Sequence, residues 1–496
     1  MRAFASSFYA WKSLERQEGV KVPHGLVFPL AVVEAIGAPH GLRLVAEEHT
    51  DEEPTAFDMI MISVLDSRCL MSAGSHFARW RVPLRRRDRG DRYPIVFAGG
   101  QGLSNPLPMA EIADIVVLGD AEPTLPKLLD GWGRGRKGFL AFASTIPGVY
   151  VPAHHDRREV TLSQAIADDI SITLRENISV SLDGSRRLEI ARGCKYKCAF
   201  CSLGWRTPVR ENTAADVIAS IVKSPKRVHL QAGDAESHSG ISEIRSALRA
   251  HGGSDLGWTG RLDSLFENPD QTIPGQKRYA FGVEGVSHRL RAGVGKGYLT
   301  DDRLVDDTLR FFRSIEGEGK GRAAWHMMCG LPTEKLSESV DLLRVLRRVD
   351  EGMRGGVSRN LALHWQPFQP LPMTPMQWCG AGSGARKWTS IMSSAEKMTW
   401  LRVRQLGGRT NDAALLCTVL SRSDERGADL LERIATDRVG SEAAAQIAGV
   451  GHGPLDPDAS LPWDFVRTWM PREKLRTAYD VMMRRLGDKE KAPPQP

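Results

Sequence analysis

Three cysteines stand close together in the middle of the chain, at Cys194, Cys198 and Cys201, in the spacing Cys-x3-Cys-x2-Cys. Three thiolates on one loop can bind three irons of a [4Fe-4S] cube and leave the fourth iron without a protein thiolate. An open iron of this kind is a place where a cofactor or substrate can bind. A structural zinc site normally needs a fourth Cys or His nearby, and the next cysteine is Cys329, so the spacing favours iron over zinc.

The cysteine loop follows a short apolar strand predicted at 188–191. Five further strands are predicted, and amphipathic helical segments such as 214–223 and 337–348 separate several of them. These five strands are 227–232, 256–260, 279–283, 324–328 and 361–365. Six strands that alternate with helices predict a partial or full parallel barrel. The chemistry of such barrels takes place at the C-terminal ends of the strands.

An earlier series of short apolar strands is predicted at 57–65, 93–98 and 114–118. Helical segments at 108–112 and 125–129 alternate with them, and glycines stop the last two strands. This alternation predicts a Rossmann-like parallel sheet, which binds ligands at its strand ends.

The predicted fold class is therefore α/β, with five parts. A Rossmann-like domain spans 1–135, and a linker with some added structure spans 136–187. The barrel spans 188–380, a helical C-terminal region spans 381–488, and a polar tail predicted as disordered spans 489–496. The predicted C-terminal helices are 395–406, 425–437, 441–448 and 471–486.

Composition narrows the class of protein further. The 496 residues are 41% hydrophobic and 26% charged, which is typical of globular domains and excludes wholesale disorder or a collagen-like repeat. No apolar stretch approaches the roughly 18 residues that cross a bilayer, so no membrane span is expected. The first residues lack a signal-peptide pattern and seven cysteines in so long a chain do not indicate a disulfide framework, so we expect a cytoplasmic protein.

The net charge of +7 is modest, but it is concentrated in one segment. Seven arginines lie between Arg79 and Arg92, with Trp80 inside the run and Tyr93 just after it. Such a run could bind the phosphates of a nucleic acid. The alternative interpretation is a solvated loop before the strand at 93–98.

A strand that leads into this cysteine spacing resembles the radical S-adenosylmethionine (SAM) superfamily, whose members carry it after the first strand of a partial (β/α)6 barrel. The resemblance implies that Cys194, Cys198 and Cys201 hold a [4Fe-4S] cluster. It also implies that the open iron binds SAM and that an electron from the cluster cleaves SAM into methionine and a 5′-deoxyadenosyl radical. Phe200 matches the position that packs against adenine in that family, with plain loop packing as the alternative.

Other strand ends agree with this resemblance over about 188–375. Gly233 and Asp234 stand where the superfamily carries a Gly-Gly-Glu-like turn that meets the SAM amino group, although a plain turn is equally possible. Glu284 and Ser287 follow the fourth strand, where relatives place a carboxylate and a hydroxyl near the SAM ribose or carboxylate; a structural salt bridge is the alternative for Glu284. Thr333 replaces the second glycine in a family-like turn at 330–334.

The N-terminal strands resemble the cobalamin-binding type of domain that precedes many radical SAM barrels. The Asp-x-His-x-x-Gly motif that supplies a cobalt ligand in many cobalamin proteins is absent, so a bound cobalamin would need another ligand or none. This absence favours a rearrangement of isomerase type over cobalamin-dependent methyl transfer.

The function expected from the resemblance is hydrogen abstraction by the 5′-deoxyadenosyl radical, on a nucleic-acid base or a group attached to one, with a flavodoxin- or ferredoxin-like electron donor. Two alternatives stay open. One is a cobalamin-dependent radical SAM methyltransferase, and the other is a non-catalytic Fe-S protein that binds nucleic acid or senses redox state.

Overall fold

The structure is a computed structural model in which most of the chain is described. The described residues are 1–7, 24–47, 50–155, 157–175, 185–255, 259–262, 278–314, 322–353, 361–382, 391, 393–394, 398, 401–405 and 411–487. The tail predicted as disordered at 489–496 lies outside them.

Eighteen strands are described. In chain order they are β1 Arg2–Ser6, β2 Arg43–Ala46, β3 Met59–Ser63, β4 Ile95–Gly99, β5 Ile115–Val117, β6 Val149–Tyr150, β7 Val160–Thr161, β8 Arg186–Glu189, β9 Ala191–Arg192, β10 Arg210–Glu211, β11 Arg227–Gln231, β12 Ser254–Asp255, β13 Thr259–Gly260, β14 Arg278–Glu284, β15 Arg322–Cys329, β16 Leu361–Pro367, β17 Leu401–Gln405 and β18 Val466–Arg467.

The α-helices alternate with these strands, and short 3-10 turns add to them. The α-helices are α1 His24–Gly37, α2 Ser67–Leu70, α3 Ala73–Arg79, α4 Leu125–Asp130, α5 Gly135–Ala143, α6 Pro152–His155, α7 Ala167–Ile170, α8 Leu203–Arg206, α9 Ala214–Val222, α10 Ile241–Ala250, α11 His288–Gly293, α12 Asp301–Ser314, α13 Ser339–Gly352, α14 Asn411–Arg422, α15 Gly427–Thr436, α16 Ser441–Ala448 and α17 Arg472–Gly487. Together the helices and strands make the α/β fold predicted from the sequence.

The first of two compact units contains Met1–Leu182, Leu415–His452 and Asp458–Pro471. Its sheet has the order β2-β1-β3-β4-β5-β6, and every neighbouring pair is parallel except β5 and β6. The parallel order 2-1-3-4-5 is that of doubly wound flavodoxin-like folds, which bind ligands where the strand order reverses. The Rossmann-like prediction is therefore confirmed, and β1 and β2 are strands that the sequence did not reveal.

The segment 136–187, predicted as a linker, contributes structure to this unit. It contains most of α5, and β6 pairs antiparallel with β5 at the edge of the sheet. Both residues of β6, Val149 and Tyr150, are buried, so burial at the sheet edge holds a strand too short to be seen in the sequence.

The second unit contains Asp183–Ala414, Gly453–Pro457 and Arg472–Pro496. Its parallel strands form two sheets, β12-β11-β8 and β13-β14-β15-β16-β17, in the succession expected of the partial barrel. One face of β14 to β16 carries large apolar side chains such as Phe281, Trp325 and Leu363. These side chains belong to one buried cluster with Phe311 of α12 and Leu346 of α13, so helices cover that face.

The helix predicted at 395–406 is wrong for its last part, because 401–405 form β17. This strand pairs in parallel with β16, with Leu401 beside Leu361 and Val403 beside Leu363. Apolar residues alternate with arginine there, so the period of two, together with an open sheet edge, outweighs the helix propensity of Leu, Arg and Gln. The remainder of the predicted helix includes residues outside those described.

The other C-terminal helices, α15, α16 and α17, confirm the predictions at 425–437, 441–448 and 471–486. Within the described residues, no helix has the length and apolar character that a membrane span requires.

A buried cation ties two strands of the second unit to a helix. Arg245 of α10 is 1% exposed and donates to Asp255 of β12 at 2.9 Å and to Glu236 in the turn after β11. Two buried carboxylates thus share one guanidinium. This arrangement fixes the turn that carries Asp234.

Replacing Arg245 with Ala should loosen this part of the barrel, because removing one partner of a buried ion pair typically costs about 3–5 kcal/mol. We expect backbone hydrogen exchange in peptides covering 227–255 to accelerate at least about 100-fold, measured by mass spectrometry. Arg249→Ala, one turn further along α10, is the matched control. Unchanged exchange in Arg245→Ala would show that the ion pair does not hold the turn.

Candidate functional site

The cysteine loop runs from β9 to the short helix α8 and is fixed by backbone and side-chain bonds. The amide of Cys201 donates to the carbonyl of Cys198 at 3.1 Å, and the indole nitrogen of Trp205 donates to the same carbonyl at 3.0 Å. From the other side, the amide of Ala199 donates to the carbonyl of Val294 at 3.0 Å. The loop that carries the three thiols therefore has one defined path.

Close packing against the cysteine loop requires glycine at position 204 of α8. A Cβ atom at Gly204 would lie 2.1 Å from the carbonyl oxygen of Tyr196, which is closer than real Cβ atoms approach. Only glycine allows the first turn of α8 to pack against the cysteine loop.

All three motif thiols are partly buried, and burial raises the pKa of each of them. For Cys201 burial raises the pKa to about 12. Metal binding requires the thiolate, so such thiols ionise readily only when a cation compensates their charge. Within the described ranges, no three Cys, His, Asp or Glu side chains are already grouped closely enough to hold an ion.

The turn after β11 brings Gly233 and Asp234 against the cysteine loop. A Cβ atom at Gly233 would lie 2.6 Å from the carbonyl oxygen of Gly193 and 3.1 Å from Cβ of Cys194. Glycine at this position therefore allows two strand-end loops to touch. Because of this contact, Asp234 lies near the first cysteine, and its charge contributes to the raised pKa of Cys194.

The carboxylate of Asp234 is buried without a hydrogen-bond partner. The residue is 7% exposed, and neither carboxylate oxygen accepts a bond in the structure. Burial raises its pKa to about 6, the charge of Glu236 adds to the rise, and Arg261, Lys195 and Lys296 oppose it. A buried carboxylate without a partner is costly, so it marks a place where a cationic group of a ligand would be stabilised.

Glu284 is held in a strained turn at the end of β14. Its φ is +69°, and the amide of Gly285 donates to the carbonyl of Val283 at 3.0 Å, which closes a γ-turn around Glu284. A non-glycine residue with positive φ in a γ-turn is rare and costs free energy. The strain directs the carboxylate to Lys296, whose Nζ lies 3.0 Å from Oε1.

Lys296 links this ion pair to the cysteine loop. Its Nζ also donates to the carbonyl of Gly282 at 2.7 Å. Burial alone would lower the pKa of Lys296. The charge and hydrogen bond of Glu284, together with the charges of Tyr298 and Cys198, outweigh burial and raise the pKa, so the lysine is cationic. Lys296 and Glu284 both act on the pKa of Cys198, with opposite signs.

Ser287 and Phe200 have internal contacts. The Ser287 hydroxyl donates to Glu338 at 2.7 Å and accepts from the amide of Leu290 at 3.3 Å at the start of α11. Phe200 is partly buried and packs against the apolar cluster of the barrel. Their predicted roles beside SAM therefore stay predictions, and the geometry gives Ser287 a capping role instead.

Sequence reasoning missed one cation at the site, Arg261. It follows β13, and its guanidinium lies 3.5 Å from the ring centroid of Tyr298 and 4.1 Å from that of Tyr196. The charge of Arg261 acts on the pKa values of Cys198 and Asp234. A single arginine after a short strand carries no motif, so only the fold reveals its proximity to the cysteines.

The arginine run between Arg79 and Arg92 belongs to the first unit, and most of its side chains are bonded within that unit. Arg85 is buried and pairs with Asp429 at 2.6 Å and Glu432 at 2.7 Å. Arg89 is also buried and donates to three main-chain carbonyl groups. The further partners are Glu47 for Arg79, Glu53 for Arg81, Glu111 for Arg86 and Tyr93 for Arg92. The run is thus buried at Arg85 and Arg89 and exposed at Arg81, Arg87 and Arg92.

The site so assembled belongs to an α/β protein in which three cysteines follow the first strand of a parallel barrel. Residues 25–152 match the family described as "Radical SAM proteins, N-terminal". This match supports the resemblance to the radical SAM superfamily over those residues, which precede the cysteine motif. A search of curated proteins found no match.

The solved structures similar to this chain include three proteins of low identity. The methyltransferase TsrM from Kitasatospora setae, with cobalamin and a [4Fe-4S] cluster bound, is 13% identical, with a TM-score of 0.49 over 98% of this chain and 99% of that chain. The cobalamin-dependent S-adenosylmethionine radical enzyme OxsB is 11% identical, with a TM-score of 0.49 over 98% and 79%. SuiB from Streptococcus suis is 10% identical, with a TM-score of 0.30 over 45% and 50%. At these values the likeness carries no argument about function.

Asp234→Asn should stabilise the cluster-free protein at pH 8, because it removes a buried charge that has no hydrogen-bond partner. The folded-state pKa of about 6 lies above the ordinary value of 3.8, so the wild type loses stability as pH rises between these values. We expect a higher Tm for the variant than for the wild type at pH 8, which corresponds to a gain of up to about 3 kcal/mol in the free energy of unfolding. The difference between the two proteins should shrink below pH 6.

Asp306→Asn, on the exposed side of α12, is the control for this measurement and should leave Tm unchanged at both pH values. A lower Tm for Asp234→Asn at pH 8 would mean that the carboxylate is a structural group rather than a vacant binding group.

Proposed function

We propose that this protein is a radical SAM enzyme that cleaves S-adenosylmethionine reductively and uses the resulting 5′-deoxyadenosyl radical to abstract hydrogen from its substrate. The observation that carries the proposal is the contact between the cysteine loop and the Gly233–Asp234 turn. At this contact an unbonded buried carboxylate lies near Cys194, the first of the three motif cysteines.

The donor set fits a [4Fe-4S] cluster with one open iron. Cys194, Cys198 and Cys201 are three soft ligands on one loop, and no fourth cysteine accompanies them in the motif. Lys296 and Arg261 supply positive charge near Cys198, which suits a cluster of net negative charge. Bound there, the cluster would supply the electron that breaks the S–C5′ bond of SAM, giving methionine and the radical.

The neighbouring residues fit the polar groups of SAM. Asp234 is the candidate acceptor for the SAM ammonium group, and the support for this role is that its buried oxygens have no hydrogen-bond partner. Glu284 is held for a ribose hydroxyl by its γ-turn and by Lys296. Arg261 is a candidate partner for the SAM carboxylate, since its guanidinium is already held by two tyrosine rings.

For the subclass of reaction we propose a rearrangement of isomerase type. In the first unit, the described segments that follow β3, β4 and β5 at the ligand-binding edge are 64–72, 100–106 and 118–124, and none contains a histidine. The sequence 8–23, which lies outside the described residues, contains none either. A cobalamin bound at this edge would lack an imidazole from these loops.

Cobalamin-dependent methyl transfer is the second candidate, and the flavodoxin-like strand order favours it, because such sheets bind a ligand at the edge between β1 and β3. Anaerobic incubation with hydroxocobalamin, followed by gel filtration and cobalt analysis, separates the two. Stoichiometric cobalt would support methyl transfer, and cobalt-free protein would support rearrangement.

A nucleic-acid substrate is a further part of the proposal, and its support is the net charge of +7. The arginine run gives it little support, because six of its seven arginines have partners within the protein. A flavodoxin- or ferredoxin-like protein would deliver the electron.

The proposed function predicts that the anaerobically reconstituted protein contains four irons and four sulfides and, with dithionite, converts SAM to 5′-deoxyadenosine and methionine. Cys194→Ala, Cys198→Ala and Cys201→Ala should each lose the cluster absorbance and SAM cleavage, because each removes one of only three thiolate ligands. Cys379→Ala, a cysteine outside the motif, is the control.

Zinc bound in place of iron would contradict the proposal. SAM cleavage by a variant in which Cys194, Cys198 and Cys201 are all replaced by Ala would also contradict it. A stable cluster that never cleaves SAM would instead favour the redox-sensing alternative.

Glu284→Gln should weaken SAM binding to the cluster-replete protein by roughly ten- to a hundredfold, because a hydrogen bond to a charged group is worth about 1.5–3 kcal/mol. The amide oxygen of Gln can still accept from Lys296, so the fold should persist. Equilibrium dialysis with radiolabelled SAM measures the affinity, and Glu351→Gln on the exposed side of α13 is the control. If the affinity is unchanged, Glu284 serves only its ion pair.

A further inference from the structure

Two neighbouring rows on the face of β14 to β16 that points away from the covering helices are made of small and polar residues. Side chains alternate along strands, and in parallel sheets register partners share a face. One row across the three strands is Ala280, Ala324 and Ala362, and the next row is Gly282, His326 and His364. Bulky branched residues usually fill the interior of parallel barrels, so these rows leave space inside this one.

Burial along the strands agrees with an accessible inner face. Residues of β16 alternate strictly between buried and partly exposed, and Ala362, His364 and Gln366 are the partly exposed set. His326 of β15 is also partly exposed, whereas its neighbour Trp325, on the helix side, is fully buried. The two histidines therefore face the interior space and not the core.

His326 and His364 form a pair in this space. They are register partners on neighbouring strands, and their ring centroids lie 5.4 Å apart with the planes at 68°. Neighbouring imidazoles can offer N–H groups to one acceptor between or above them.

The charge of this wall has one sign. The strands β15, β16 and β17 contain no Asp or Glu, but they contain both histidines and Arg402. Arg402 is the register partner of Ala362 and is exposed, so it lies on the same face as the histidine pair. The nearest carboxylate on β14 is Glu284, and Lys296 neutralises it.

From this arrangement we infer that His326, His364 and Arg402 form the anion-binding part of the substrate site, which takes a carboxylate or phosphate group of the substrate. The inference rests on the proposed function. Gly282, the register partner of His326, accepts a hydrogen bond from Lys296 through its carbonyl. An anion held by the histidines would therefore anchor the substrate beside the Glu284–Lys296 pair, where the proposed SAM site lies.

Histidine footprinting tests this inference without a known substrate. The reconstituted protein with SAM is treated anaerobically with diethyl pyrocarbonate in an amine-sulfonate buffer at constant ionic strength, and the modification rate of each histidine is read by peptide mass spectrometry. Inorganic phosphate and acetate are the two anionic probes, and acetamide is the uncharged counterpart of acetate.

We expect at least one anion to slow modification of His326 and His364 about fivefold or more at saturation, because a bound anion blocks the reagent in proportion to its occupancy. Acetamide should not do so, and His251, at the C-terminal end of α10, should react equally under all conditions. Protection by phosphate alone would assign a phosphorylated substrate, and protection by acetate alone a carboxylate.

Two variants sharpen the test. Arg402→Ala should raise the anion concentration for half-maximal protection about tenfold, since it removes a charged donor. Arg344→Ala, which removes an exposed cation from α13, should not change it.

Histidines that do not react even without anion, absent protection by both anions, or equal protection by acetamide would each overturn the inference. Binding of labelled SAM, measured on the same sample, reports separately on the proposed function. Protein that binds SAM without anion protection contradicts only this inference, and protein that shows protection but binds no SAM contradicts only the proposed function.

Discussion

The close approach of two strand-end loops is the constraint on which the site depends. Gly233, after β11, lies against Gly193 and Cys194, and any side chain there would collide with the cysteine loop. This contact brings a buried aspartate to the first cysteine and leaves its carboxylate without a hydrogen bond. The buried, unbonded carboxylate lowers the stability of the cluster-free protein. A cationic group of a bound ligand would offset this cost by forming hydrogen bonds with the carboxylate.

Two residues with strained backbone conformations lie at the C-terminal ends of barrel strands. Glu284 and Thr333 both have positive φ, at +69° and +60°, although neither is glycine. Arg289 holds the strained Thr333 by donating to its hydroxyl at 2.9 Å and to its carbonyl at 3.1 Å. Positive φ at Thr333 also explains why the related turn carries glycine at this position. Strained residues persist where surrounding bonds fix them, and here they lie at the ends of β14 and β15, where barrel chemistry occurs.

Much of this fold could be predicted from apolar periodicity. The strands β11, β14, β15 and β16 are apolar runs between polar helices, and the cysteine spacing pointed to the loop that carries the chemistry. The short strands β1 and β2 escaped prediction because they are formed by pairing in a sheet rather than by a pattern of their own. The strand β17 was mistaken for helix because Leu, Arg and Gln favour helices, whereas the open edge of β16 decides the outcome.

Less of the candidate site than of the fold could be predicted from the sequence. Asp234 and Glu284 were found as strand-end carboxylates, but the missing partner of one and the γ-turn of the other are properties of the folded chain. Arg261 and the facing histidines His326 and His364 carry no motif. The contacts of Arg261 with two tyrosine rings and the strand register of the histidines are known only from the folded chain. The arginine run is a conspicuous sequence pattern, but two of its side chains, Arg85 and Arg89, form ion pairs inside the first unit.

In the proposed cluster, three cysteine ligands leave one iron open for SAM. Mössbauer spectroscopy of protein reconstituted with 57Fe tests it most directly, because a cube with three thiolate ligands has one iron unlike the others. We expect that adding SAM shifts the signal of that one iron, about a quarter of the spectrum, and leaves the other three unchanged. Four equivalent irons, or a spectrum that does not respond to SAM, would contradict it.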